Sequence, residues 1–136
     1  MPTLIPLALA ALLASASALA GAADNPLSVH VLDLQSGQPT PGVRVQLEQR
    51  DGAQWRTLSQ GVTNAQGRIA ALAPAEQPLA AGDYRIVFET GEHYARQGKP
   101  TLFPRIPVDI RIDEPTSHYH VPLLLSPYGY STYRGN

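Results

Sequence analysis

From residue 27 onward the chain repeats one pattern: a run of alternating apolar and polar side chains, then a cluster of turn formers. Successive side chains of an extended chain point to opposite faces. Leu27, Val29, Val31 and Asp33 therefore face one way, and Ser28, His30, Leu32 and Leu34 the other. The turn formers of SGQPTPG, residues 36–42, end this run. Val43, Val45 and Leu47 then alternate with Arg44, Gln46 and Glu48, one dry face and one wet. Asp51-Gly52 is a hairpin-type dipeptide before a strand around Trp55 to Leu58. TNAQGR, residues 63–68, is a further turn, from which Ile69 and Leu72 continue. Tyr84, Ile86 and Phe88 alternate with Arg85, Val87 and Glu89, again with one buried face. Between Gly91 and Gly98, EHYARQ (Glu92 to Gln97) has room for one or two helical turns, too short to be stable alone, with His93 as a solvated surface residue. Strands over Phe103 to Ile112, His118 to Leu125 and Tyr128 to Tyr133 complete the series. About eight strands at regular spacing predict an all-β, two-sheet sandwich with one short helix.

Composition narrows this further. A chain of 136 residues allows one domain and hardly more. Its 13 Pro and 11 Gly are interleaved with Val, Ile, Leu and Tyr, which disfavours a helical bundle and a low-complexity tract alike. The absence of Cys excludes disulfides, thiolate zinc sites, iron-sulfur clusters and a cysteine nucleophile. With 10 basic against 11 acidic residues the formal net charge is -1, so there is no electrostatic footprint for nucleic acid.

The N-terminus stands apart from the domain. Leu4 to Ala20 is a run of apolar and small residues without a charge, ending in small residues at Ala18 and Ala20, with the first acid at Asp24. This is the form of a secretory signal peptide with an A-x-A site, so residues 1–23 are read as a leader and 24–136 as the mature domain, exported to the periplasm. A membrane anchor is the alternative, but Pro6 interrupts the run, which also falls short of the ~20 strongly apolar residues a span needs. Once the leader is removed, no membrane association is expected.

Candidate chemistry rests on histidines. No G-x-S-x-G elbow, phosphate-binding glycine loop or H-E-x-x-H helix is present. His30 interrupts an apolar strand, where an imidazole needs either a structural partner or a purpose. His118 and His120 lie two apart on a strand and share a face. That spacing can ligate a metal, but a closed site needs further ligands, and no acid adjoins the pair within the strand. Arg68, directly after a turn glycine, reads equally well as surface charge.

The terminal stretch HYHVPLLLSPYGYSTYRGN adds weight to a functional reading, with six Tyr or His among its nineteen positions. It resembles the C-terminal signature of the transthyretin-like 5-hydroxyisourate hydrolases, whose chains end in YRGS. The resemblance continues through LSVHVLDLQSGQPTPGVRVQLE, GVTNAQGRI and AGDYRIVFETGEHYARQGKPTLFP, so it covers essentially the whole mature domain, with its motifs in family order. It implies a transthyretin-like sandwich and hydrolysis of 5-hydroxyisourate to 2-oxo-4-hydroxy-4-carboxy-5-ureidoimidazoline in urate degradation, without metal or organic cofactor. It also implies a homotetramer with sites in a channel between dimers.

Carried over residue by residue, the resemblance implies a catalytic group of His30, Arg68 and His120. His30 and His120 would activate water and move protons, and Arg68 would bind the carbonyl and stabilise the developing oxyanion. Tyr133, Arg134 and Asn136 would shape the substrate pocket, with His118 supporting it. In the hormone-carrying transthyretins these His and Arg positions hold other residue types, which points here to the enzyme. One position departs: Asn136 stands where the family has Ser, replacing a hydroxyl by a bulkier carboxamide that can still donate and accept. Two other readings remain: a non-catalytic periplasmic transthyretin-like carrier of small aromatic or purine-related ligands, and a structural immunoglobulin-like domain without a pocket.

Overall fold

The computed structural model describes residues 25–136. The segment read above as a signal peptide lies outside the described residues. The elements in chain order are β1 (Leu27–Asp33), β2 (Arg44–Asp51), β3 (Gln54–Val62), β4 (Arg68–Ile69), β5 (Gly82–Phe88), α1 (Thr90–Arg96), β6 (Ile106–Ile112), β7 (Tyr119–Ser126) and β8 (Gly129–Thr132). They form two four-stranded sheets, ordered β4-β1-β7-β8 and β3-β2-β5-β6. The predicted sandwich is what the chain forms.

Alternation decides which faces meet. Leu27, Val29 and Val31 of β1, with Tyr119, Val121, Leu123 and Leu125 of β7, pack against Val45, Leu47, Tyr84, Ile86, Phe88, Ile106 and Ile112 of the second sheet. Each of the three β1 residues is fully buried. At about 1.5–3 kcal/mol per buried aliphatic side chain, they hold the strand by about 4.5–9 kcal/mol before the opposing chain entropy. The polar face of β1 is thereby fixed outward, and it carries Ser28 and His30.

The sequence pattern misplaces three features. Val87, assigned to a wet face, is fully buried, because its neighbours in register, Gln46 of β2 and Pro107 of β6, share that face and cover it. Glu48 keeps its place on the outer face, opposite Arg85, yet is only 8% exposed, with Arg105 approaching its carboxylate at 3.4 Å. His93 is not a solvated residue but 7% exposed. Helix α1 buries Thr90, His93 and Tyr94, spaced i, i+3, i+4, so His93 lies on its packed side.

Candidate active site

Local structure brings Arg68 to His30. The side-chain oxygen of Asn64 accepts hydrogen bonds from the N–H groups of Gln66 and Arg68, 3.0 Å each, closing the turn ahead of β4. Gly67 adopts φ 71°, and a Cβ there would stand 2.5 Å from the Val31 carbonyl oxygen. The Gly67 carbonyl accepts from Val31 N–H at 2.8 Å. Only glycine fits this approach, which registers β4 against β1 so that Arg68 lies directly opposite His30.

The second histidine arrives from the other side of β1. Strand β7 runs parallel to β1 with Ser28 opposite His120 and His30 opposite Pro122. Residues paired across a sheet share a face, so Arg68, His30, Ser28, His120 and His118 all stand on the outer face of the first sheet. Ser28 Oγ lies 2.7 Å from His120 Nδ1 and 3.0 Å from His118 Nε2. His118 Nδ1 donates to the Asn25 carbonyl at 2.8 Å.

Both central imidazoles are held neutral. Burial lowers the His30 pKa below the usual histidine value, and the Arg68 cation lowers it further, against a hydrogen bond to the Gln66 backbone. His120 is lowered by burial first, then by Arg68, His30 and His118. His30 Nε2 is buried without a hydrogen-bond partner among the described residues. A neutral imidazole has one ring nitrogen with a lone pair, so His30 can act as a base on this face. Arg68 forms no side-chain hydrogen bond or ion pair among the described residues, leaving its planar donors and its charge available. Two neutral bases beside an unneutralised guanidinium can deprotonate a water and receive the negative charge that develops on an attacked carbonyl.

The chain end reaches the same place. Gly135 N–H donates to the His120 carbonyl at 2.8 Å, so the terminal residues pair beside β7 and put Asn136 next in line. Tyr133 and Arg134 stand elsewhere: they line a cleft of about 460 Å³ with Asp109, Arg111 and Tyr119, and the Arg134 guanidinium lies 4.5 Å over the Tyr119 ring. Beside the histidines is a smaller cleft of about 230 Å³ bordered by Ser28, Arg68, Ile69 and His118. Among the described residues, no three His, Cys, Asp or Glu side chains converge as metal ligands. Ser28 escapes the sequence reading. Its alternation with His30 puts it on the right face, but its partner His120 is 92 residues away across a parallel pairing that no local pattern announces.

Comparison with known proteins places the chain in a family. The profile of the HIUase/Transthyretin family matches residues 27–135. A 5-hydroxyisourate hydrolase of Salmonella typhi is 50% identical over 129 residues, 95% of this chain and 94% of that protein. Among solved structures, 5-hydroxyisourate hydrolase of Klebsiella pneumoniae superposes with a TM-score of 0.71 at 45% identity, covering 82% of this chain and 94% of that one. Sea bream transthyretin in complex with thyroxine superposes with a TM-score of 0.74 at 34% identity, covering 81% and 94%.

Proposed function

The chain belongs to the HIUase/Transthyretin family, and from that premise we propose that it is the family's enzyme, hydrolysing 5-hydroxyisourate to 2-oxo-4-hydroxy-4-carboxy-5-ureidoimidazoline in urate degradation. The observation that carries the reading is Arg68 set opposite His30, whose buried Nε2 has no partner among the described residues. In the mechanism that follows, substrate lies across the outer face with a ring carbonyl at Arg68. A neutral imidazole, His30 or His120, takes the proton of the attacking water. Arg68 stabilises the oxyanion, and the imidazolium returns its proton to the departing ring nitrogen. Asn136 follows Gly135, which pairs with His120, and His118, just before β7, supports the site through Ser28, while Tyr133 and Arg134 line the neighbouring cleft.

The same proposal covers assembly and location. The site lies on an open sheet face, and water must be excluded for its charges to act strongly. A homotetramer in which that face meets its copy across a channel supplies the missing wall. The exposed Tyr128, Tyr130 and Tyr133 and the unpaired edges of β6 and β8 offer surfaces for subunit contacts. Export to the periplasm through removal of residues 1–23 rests on the uncharged N-terminal run.

The likeness to a thyroxine-bound transthyretin keeps a carrier as the second reading. Turnover separates the two. Purified mature protein should accelerate the loss of absorbance of freshly generated 5-hydroxyisourate well above its spontaneous decay. Saturable binding with no acceleration would establish the carrier.

A further inference from the structure

The hydrogen-bond chain behind His120 has a direction, and one atom sets it. The Asn25 carbonyl oxygen can only accept, so the proton of neutral His118 resides on Nδ1, which contacts that oxygen at 2.8 Å. His118 Nε2 is then an acceptor, and its partner at 3.0 Å, the Ser28 hydroxyl, must donate to it. A hydroxyl has one proton. With that proton committed to His118, Ser28 Oγ can only accept from its other partner, His120 Nδ1, at 2.7 Å. His120 therefore carries its proton on Nδ1, and its lone pair lies on Nε2, at the ring edge that meets the chain terminus at Gly135.

We propose that Ser28 and His118 are positioning residues that lock His120 in its Nδ1–H tautomer and so present Nε2 as the bare nitrogen that works on substrate or water. The proposal rests on the hydrolase reading for its consequence in turnover, but not for the tautomer itself. It gives the H-x-H spacing a role distinct from metal ligation: His120 faces the reaction, while His118, two residues away, sets its proton through the Ser28 hydroxyl. A histidine held in the wrong tautomer offers an N–H where a base is needed, which is why fixing the tautomer matters for rate as well as orientation.

The test reads the tautomer directly. Nitrogen-15 NMR of uniformly labelled, full-length mature protein, in mildly alkaline buffer where imidazole is neutral, distinguishes a protonated from a bare ring nitrogen. In wild type, His120 Nδ1 should show the protonated shift and Nε2 the bare one. Ser28→Ala should move His120 toward a mixture of tautomers and lower the hydrolysis rate roughly 10-fold or more, with KM changed little. Ser28→Thr keeps the hydroxyl and should restore both signals. His118→Phe should disturb the His120 tautomer as Ser28→Ala does. Wild-type His120 protonated on Nε2 overturns the proposal, and that measurement stands even if a variant does not fold. An unchanged tautomer in folded Ser28→Ala overturns it too. A protein with the stated tautomer and no turnover would instead defeat the hydrolase reading and leave the lock intact.

Discussion

Gly135 and His120 meet so closely that a Cβ on Gly135 would stand 2.6 Å from Cδ2 of the imidazole. The backbone pairs at the same point, Gly135 N–H to the His120 carbonyl at 2.8 Å. The penultimate residue is thus part of the wall that holds the ring, and a methyl group there cannot be added without moving the tail, the imidazole or Pro122, whose Cγ would be 3.1 Å away.

Gly135→Ala should therefore impair catalysis more than folding. Displacing a reacting group by about 1 Å can cost 10²-fold in rate, so a loss of ten- to a hundred-fold is expected, with a melting temperature near that of wild type. Steady-state kinetics beside a thermal melt would check this. A large drop in melting temperature with proportionate loss of activity would mean that the contact serves only the fold.

Acid should inactivate the protein at a lower pH than an ordinary histidine would suggest. Burial and Arg68 depress both His30 and His120, so the neutral base survives as pH falls past the usual value near ~6.5 and is lost only below it. Replacing Arg68 by Gln removes a cation that disfavours the imidazolium. The remaining activity should then fail at higher pH than in wild type. A pH profile of kcat/KM with its acid limb unmoved would contradict the electrostatic coupling.

Gly67→Ala tests the turn that delivers Arg68. The backbone is in the left-handed region and the new Cβ meets the Val31 carbonyl oxygen at 2.5 Å. Strain of about 1–3 kcal/mol is expected from the backbone alone, measurable by urea unfolding, together with a loss of rate beyond that explained by unfolded protein. Wild-type stability in this variant would mean that β4 does not need the observed turn.

Location can be settled by expression. Full-length protein should be recovered from the periplasm shortened by about its first 23 residues, and a version beginning at Asp24 should stay in the cytoplasm. A membrane-bound product with the mass of the intact chain would favour an anchor.

The alternation of Leu27, Val29 and Val31 reports burial directly, because a strand between two layers has one dry face, and the glycine and Asn64 of TNAQGR mark the turn before Arg68. His30, Arg68 and His120 were legible through motif resemblance, since nothing local says that residues 30, 68 and 120 share a face. That depends on the pairing of β1 with β4 and β7. Ser28 stayed hidden for the same reason. His93 was legible and misread: Thr90, His93 and Tyr94 have helical spacing, but the charged residues around them suggested a wet segment. Val87 shows the limit of alternation: Asp83 and Arg85 on its face are half-buried, while Val87 itself is fully buried.

The proposed hydrolysis relies on neutral imidazoles on the outer sheet face, aided by Arg68. The most direct measurement compares wild type with folded His30→Asn, His120→Asn and Arg68→Lys in the decay of 5-hydroxyisourate absorbance. Each His variant keeps some hydrogen bonding but loses proton transfer, so the rate should fall roughly 10²- to 10⁴-fold. Arg68→Lys keeps charge without the planar fork and should be strongly impaired as well. Near-wild-type turnover in both His variants would contradict the account, because the ring would then be opened by some other group.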